Sequence, residues 1–375
     1  MMKNQRVVVT RPGGPEVLEL IEEDLPEPQA GQARVKILAA GVAYADVGVR
    51  WGTYPVPESS RRPVSPGYDI VGVVDALGSG VSEVSTGQPV AALTVVGGYA
   101  RYLCLPASEL VPVPDGLDPV QTVSLVLNYV TAYQMLQRVA AVQAGDWILV
   151  HGAAGGVGTA LLDLGKLMDL KVIGTASSGK QDLVARLGAV AINYQAEDFV
   201  ARVKQESGEG VASAYDPIGP ENYVRSYQAL RPGGILVTYG SYAANQGGRS
   251  RPQVAAATRA MREQLAEQHE DGKRVEGYFI AGMKAAHPDW FRSDLLALLD
   301  LLAQGKLHPL IAERLPLREA RRAHQLMDHA GAMGKIVLIP QSDSYTQSMS
   351  DLHKEIWNGV DAQKYVEEER NSWDD

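Results

Sequence analysis

Asp146-Trp147-Ile148-Leu149-Val150-His151-Gly152-Ala153-Ala154-Gly155-Gly156-Val157-Gly158 reads as an apolar strand running straight into a glycine-rich turn. Apolar side chains then recur at helical spacing over 156–168, so the turn opens a helix. Further apolar strands at 171–175, 189–193, 212–216 and 235–240 alternate with helical segments at 180–187, 199–205 and 221–230. That alternation predicts a doubly wound, parallel α/β sheet. A lone glycine-rich run is weak evidence for a ligand, but one placed between strand and helix inside such a series is strong.

The chemistry of the turn follows from its geometry. Small residues let the backbone approach a pyrophosphate, and the helix start supplies unpaired N–H groups and partial positive charge to hold it. Ala154, Gly155, Gly156, Val157 and Gly158 are therefore candidate dinucleotide contacts. If Gly155 and Gly158 are the second and third glycines of the usual fingerprint, Ala153 stands where the first belongs. About 20 residues further on, an acidic side chain would hold the ribose hydroxyls of NAD. Here the chain reads Thr175-Ala176-Ser177-Ser178-Gly179-Lys180. No carboxylate opposes a 2′-phosphate there, while Ser177, Ser178 and Lys180 can bind one, so NADP(H) is the expected cofactor. The plain alternative for Lys180 is a solvated lysine in a first helical turn. Gly240 and Ser241 follow the fifth strand, and dinucleotides lie at the carboxyl ends of parallel strands.

Before this region, short apolar segments at 7–9, 33–37, 70–74, 89–92 and 99–102 are separated by Gly and Pro. They predict many short strands in a barrel-like antiparallel domain. Residues 118–142 read as helices. Beyond 240 come a polar, charged segment over 245–275, a strand over 275–280, helices over 292–304 and 318–329, and a strand over 334–339 that returns to the first domain. The expected division is a barrel-like domain from 1–122 and 280–340, a dinucleotide domain from 123–279, and an acidic extension from 341–375.

The 375 residues are 45% hydrophobic and 21% charged, the balance of an ordinary globular enzyme. The formal charge is −9, with nine acidic and three basic residues in 341–375, and no basic stripe offers itself to nucleic acid. Cys104 is the one cysteine, so neither an internal disulfide nor a multi-cysteine metal site can form. It lies in the alternating run 101–105 and reads as a buried, inert thiol. No apolar stretch reaches the ~18 residues of a membrane span, and the first residues lack a signal peptide's apolar run. A cytoplasmic protein is expected.

Several further motifs occur in order: Ala40-Gly41-Val42-Ala43-Tyr44-Ala45-Asp46-Val47, Pro66-Gly67-Tyr68-Asp69, Gly97-Gly98-Tyr99-Ala100, Leu127-Asn128-Tyr129-Val130-Thr131-Ala132-Tyr133, Asp216-Pro217-Ile218-Gly219 and Gly233-Gly234. With 153–158, they make the chain resemble the medium-chain dehydrogenase/reductase superfamily, in its quinone oxidoreductase branch, over nearly all of residues 5–340. The resemblance implies a GroES-like β-barrel catalytic domain beside a Rossmann domain. Zinc-dependent relatives bind their catalytic metal through a Cys in the first motif and a His in the second. Here those positions are Ala43 and Tyr68, which cannot serve as that ligand pair, and no metal is expected.

Without a Lewis acid, charge developing on a substrate oxygen needs hydrogen-bond donors, and a conjugated acceptor helps by spreading it. The resemblance thus implies hydride transfer to a quinone or an α,β-unsaturated carbonyl compound. Tyr54 matches a tyrosine that similar reductases place near the nicotinamide, and Tyr44 and Tyr68 occupy neighbouring motifs; each could instead only pack. Asn128 and Thr131 match the segment at the nicotinamide end, and Tyr194, after the third strand, is expected to cover the adenosine phosphate beside Lys180. Asp46 reads as a tie between its loop and the backbone, and His151 as a hydrogen-bonded strand-end histidine. Similar proteins are commonly homodimers. Gln88-Pro89 departs from the family's usual turn, and the charged 245–275 segment leaves the outer pocket wall undefined. Two other readings stay open: an enoyl-thioester reductase, which needs a basic entry site, and a non-catalytic nucleotide-binding scaffold that recruits partners through its tail.

Overall fold

The computed structural model describes residues 3–58, 60, 62–240, 242, 251–268 and 270–341. Ser241 and most of the expected extension, 342–375, lie outside the described residues. In chain order the strands are β1 (Lys3–Val9), β2 (Leu18–Asp24), β3 (Gln32–Val42), β4 (Asp69–Leu77), β5 (Pro89–Leu93), β6 (Tyr102–Pro106), β7 (Val111–Pro112), β8 (Trp147–His151), β9 (Lys171–Ala176), β10 (Val190–Asn193), β11 (Val211–Asp216), β12 (Leu230–Tyr239), β13 (Arg274–Tyr278), β14 (Ile311–Pro316) and β15 (Lys335–Ile339).

The glycine-rich turn leaves the centre of a six-stranded sheet ordered β10-β9-β8-β11-β12-β13, in which every pairing is parallel. Parallel neighbours need crossovers, and the helices Gly156–Leu167, Gln181–Arg186, Phe199–Ser207 and Pro220–Gln228 supply them. Both faces are therefore covered, which is why β8 is apolar throughout its middle. Its side chains alternate between two cores: Ile148 and Val150 enter one, Leu149 the other with Ile173, Ile192 and Leu236.

The other sheet is ordered β14-β15-β3-β4-β5-β7, with β6 added on β3, and the hairpin β1–β2 stands beside it. β3 is its spine. One edge takes β4 along Ala33–Gly41; the opposite edge is shared, Gln32–Lys36 pairing with β6 and Ala40–Val42 with β15. The C-terminal strand thus returns to the N-terminal sheet as its sequence implied.

A helical run from Pro119 to Ala140 lies between the sheets, capped by the Asp118 side chain on the Val120 N–H, with π-helical turns at Leu125–Tyr129 and Met135–Ala140. Val123, Leu125, Val126 and Val130 share one core with Val71 and Ala91 of the first sheet and Val150 and Val237 of the second. Among the described residues no helix is long and apolar enough to cross a membrane.

Local expectations change in four places. The charged segment holds a helix, Arg251–Glu267, whose Val254 and Leu265 are buried. The strand expected over 275–280 ends at Tyr278, and Ile280 starts a helix to Ala286. Strand β6 begins at Tyr102, because Tyr99 and Ala100 belong to a turn that makes a single bridge with Arg6. Cys104 is half-buried, its thiol pushed up by burial and directed at the Pro26 carbonyl.

A buried polar chain braces the N-terminal half against the C-terminal helix Ala320–Asp328. Arg50 donates to the Gly13 carbonyl at 3.0 Å, to Asp328 at 2.9 Å and to His324 Nδ1 at 3.2 Å. Burial first, and the Arg50 charge second, push His324 down to about 3. An imidazole with a depressed folded-state pKa contributes stability above its unfolded value of about 6.5, and that contribution is lost as pH falls toward 3. The stability of wild type should therefore fall toward that of His324→Gln by up to about 1.4 kcal/mol per pH unit below pH 6. Urea unfolding from pH 7 to 4 reads this, and a constant gap between the two proteins would refute it.

Candidate functional site

A cleft of about 740 Å³ runs from the glycine-rich turn to the first sheet. At the turn, Gly152 has φ of 64°, so the tight-turn role assigned to a first glycine falls on Gly152, one residue before Ala153. The Gly155 N–H closes the turn on the Gly152 carbonyl at 2.9 Å, and the Ala153 N–H bonds Thr175 at 3.1 Å. Gly158 permits the helix to approach: a Cβ there would lie 2.3 Å from the Gly152 carbonyl oxygen. Ala154, Gly155, Gly156, Val157 and Gly158 all line the cleft.

Beneath this turn His151 bonds Thr175 Oγ1 through Nδ1 at 2.9 Å and Ser226 Oγ through Nε2 at 3.0 Å. The Ser226 hydroxyl donates to Asp216 at 2.6 Å, so His151 Nε2 carries the proton and the ring is neutral, as burial favours. The chain ties the ends of β8, β9 and β11 together. That is the strand-end role read for His151.

The π-helical turn carries Asn128, whose side chain rests against Gly156. Thr131, one turn on, is buried and lines the cleft, its side chain set against the Tyr278 hydroxyl. The neighbouring Tyr278 hydroxyl is committed to Gln134 at 2.8 Å. At the other end of the turn, Ser177, Lys180, Tyr194 and Gly240 line the cleft, and no acidic side chain does so among the described residues. Lys180 Nζ donates to the carbonyls of Ala330 at 2.5 Å and Ala332 at 3.1 Å; burial lowers its pKa. Ser178 departs from expectation: it opens a short turn, Ser178–Lys180, is exposed, and does not line the cleft.

At the first sheet the hydroxyls of Tyr54 and Tyr68 meet at 2.7 Å, their rings edge to face. Tyr68 is buried, and burial followed by its Tyr54 neighbour raises its pKa far above the usual phenol range, keeping it protonated. Asp46 holds this wall together by accepting the N–H groups of Ala43 and Gly67, each at 2.8 Å, and the Tyr99 hydroxyl at 3.1 Å. Burial pushes Asp46 up to about 7, against the pull of those N–H bonds. Tyr44 lines the cleft but is engaged differently from the pair: its ring stacks on Tyr242 at 5.3 Å, a contact made possible because residue 242 returns over Pro217. Sequence reading did not single out Tyr242, Tyr278 or Phe279, all of which line the cleft. The only available signal was position, since Tyr242 and Phe279 follow the ends of β12 and β13 and Tyr278 is the last residue of β13. Among the described residues no group of three or more His, Cys, Asp or Glu is arranged to hold a metal ion.

Comparison with known proteins adds ancestry to this geometry. Residues 29–115 match the alcohol dehydrogenase GroES-like domain family and residues 187–338 the zinc-binding dehydrogenase family. A 2-haloacrylate reductase from Burkholderia sp is 32% identical over 89% of this chain and 98% of its own. The quinone oxidoreductase of Rattus norvegicus is 31% identical over 87% and 95%. The chain belongs to the medium-chain dehydrogenase/reductase superfamily, in its quinone oxidoreductase branch. The solved quinone oxidoreductase of Escherichia coli, complexed with NADPH, superposes with a TM-score of 0.78 at 26% identity, covering 90% of this chain and all of that one. The Rossmann sheet and GroES-like sheet are thus the family's fold, and the cleft described above lies between them.

The approach at Gly158 gives a direct test of how the turn is built. Gly158→Ala should lose about 1–3 kcal/mol of unfolding free energy, because backbone cannot yield to the added methyl. Gly179, with nothing within 4 Å of its hypothetical Cβ, is the control. Gly179→Ala should stay within about 0.5 kcal/mol of wild type by urea titration.

Proposed function

We propose that this chain is an NADPH-dependent oxidoreductase that works without zinc and reduces a quinone or an α,β-unsaturated carbonyl compound. The observation that carries the reading is the Tyr54–Tyr68 hydroxyl pair, at one end of a cleft whose other end is a dinucleotide turn. The fit to the cofactor rests on the donor set along the cleft, the Asn128 amide and Thr131 hydroxyl at the nicotinamide end and the Lys180 ammonium with Ser177 at the phosphate end. The NADPH complex of the Escherichia coli relative supports the same cofactor. NADPH supplies the hydride.

The chain's own part is to hold the acceptor and manage a proton. Tyr68, kept neutral by burial, donates to the Tyr54 oxygen, and the Tyr54 hydroxyl then points its proton at the acceptor oxygen. Such a donor stabilises charge as it develops, and a conjugated acceptor needs no more than that. Ala43 and Tyr68 in the two motifs favour this phenol chemistry over metal chemistry. Asn128 and Thr131 orient the nicotinamide, and Tyr194 and Gly240 line the rest of the cofactor's course. The relatives named as a quinone oxidoreductase and a 2-haloacrylate reductase act on conjugated acceptors by their names, in line with this class.

The test is NADPH consumption by purified protein across quinones, enones and enoyl thioesters, with and without a zinc chelator. Turnover of quinones or enones, unaffected by chelation, is the expected result; none with any acceptor would leave only a nucleotide-binding scaffold. Tyr54→Phe should lower kcat by about 10²-fold, the effect of losing one oxyanion donor, with the Kd for NADPH unchanged. Lys180→Ala should weaken NADPH by roughly 10- to 100-fold, the worth of a charge-assisted bond, while leaving NADH untouched. Equal weakening of both cofactors would remove Lys180 from the phosphate site.

A further inference from the structure

The acceptor end of the cleft has a wall that the tyrosine pair does not explain. Phe279 follows β13, holds an extended conformation as the residue before the Ile280–Ala286 helix, and is 49% exposed. Its ring lies 6.4 Å from that of Tyr54, tilted by 56°, and lines the same cleft. The residues around it make this placement firm. The preceding Tyr278 is buried and bonded to Gln134, which in turn donates to Asp294, itself held by Arg138. On the other side Gly282 lets the ring settle, a Cβ there falling 3.0 Å from Phe279 Cδ1. A large apolar face is thus held open to the cleft by neighbours fixed in the core, and covering such a face is favourable in proportion to the area removed from water.

The distribution of charge is equally one-sided. Among the described residues, the charged side chains that line the cleft are Lys180, Arg225 and Lys335. Lys180 is at the phosphate end. Arg225 pairs with Asp198 and covers the Phe199 ring. Lys335 is buried and bonded to both oxygens of Asp69. None belongs to the group formed by Tyr54, Tyr68, Leu127, Phe279 and Ile280. Among the described residues, a carboxylate or phosphate at that end would give up its water and meet no cation, which is costly.

We propose that Phe279 and Tyr54 form an uncharged, aromatic acceptor subsite that selects neutral flat acceptors and rejects anionic ones, with Phe279 as the specificity-determining side chain. This rests on the hydride-transfer reading for its biological meaning, but the subsite itself is a binding property. It separates this chain from an enzyme suited to acrylate-type acids or to phosphate-bearing thioester arms, and places its acceptors among unsubstituted quinones and aryl enones.

The experiment titrates full-length protein calorimetrically, with and without saturating NADP+, using two probes of one ring system, methyl 2-naphthoate and 2-naphthoate. Wild type should bind the neutral ester at least about 10-fold more tightly than the carboxylate. Phe279→Ala should weaken the ester by roughly 10-fold and leave the carboxylate little changed; the half-exposed position permits the substitution, and a urea midpoint confirms folding. Phe279→Lys should invert the preference. Equal affinity for the two probes in wild type, or an ester affinity indifferent to Phe279→Ala, overturns the proposal. Selective ester binding by a protein that reduces no acceptor would instead sink the hydride-transfer reading and leave the subsite standing.

Discussion

The relative position of the two halves of the cleft depends on one dipeptide at the start of the last strand. The Gly334 N–H donates to the Ala154 carbonyl at 2.9 Å, and Gly334 bridges Gly155, so the strand is welded to the dinucleotide turn. The next residue, Lys335, carries its ammonium to Asp69 in β4, at 2.8 and 3.0 Å, with both side chains almost wholly buried. Gly41 of β3 lies between them, a Cβ there falling 2.4 Å from both Asp69 Oδ1 and Lys335 Cε. Asp69 directly follows Tyr68, so the phenol pair and the glycine-rich turn are positioned through consecutive residues of a single strand. Burial raises the Asp69 pKa and the lysine opposes that rise. A buried ion pair of this kind contributes modest net stability; its larger effect is that any other register would strand a charge.

The same economy recurs at smaller scale. Asp46 accepts backbone N–H groups from Ala43 and, 21 residues away from itself, Gly67, and so sets the spacing of Ala43 and Tyr68. Its partner Tyr99 faces His324 at 3.3 Å, and His324 meets Arg50, which carries the connection to Asp328. On the other side of the cleft, Thr175, His151, Ser226 and Asp216 clamp three strand ends. The groups that face the cleft are thus held by polar chains behind them, which is how a site keeps its geometry without relying on loops.

Much of this was legible in the sequence because it follows from periodicity and from residues with one structural use. The alternation of apolar strand and amphipathic helix from 146 to 240 returned the parallel sheet strand by strand, and the glycine run lines one end of the cleft. The helix Arg251–Glu267 escaped because its buried face is narrow. Val254 and Leu265 supply the buried anchors, and the charged residues between them read as solvated coil. Ile280 was misread as strand for a related reason: an apolar residue after a strand carries no mark of where the strand stops.

The tyrosines show why the site was harder than the fold. Tyr44, Tyr54 and Tyr68 are alike as residue types, and motif position places all three near the cleft, as the structure does. What separates them is the partner each finds across the chain: Tyr68 for Tyr54, but Tyr242 for Tyr44. Ser178 illustrates the same limit over a shorter distance, since one residue of a tight turn decides whether a hydroxyl faces the cleft or solvent. Phe279 lies at the far extreme: its neighbours Tyr278 and Gly282 fix it through contacts to Gln134 and to its own ring, and none of those contacts leaves a periodic trace. Periodicity records which face of an element is buried, whereas chemistry at a cleft depends on which side chains from different elements converge. The first is a property of neighbours in sequence and the second of neighbours in space, so the end of the cleft centred on the continuous run 154–158 could be read where the end at the tyrosine pair, assembled from separate segments, could be read only in part.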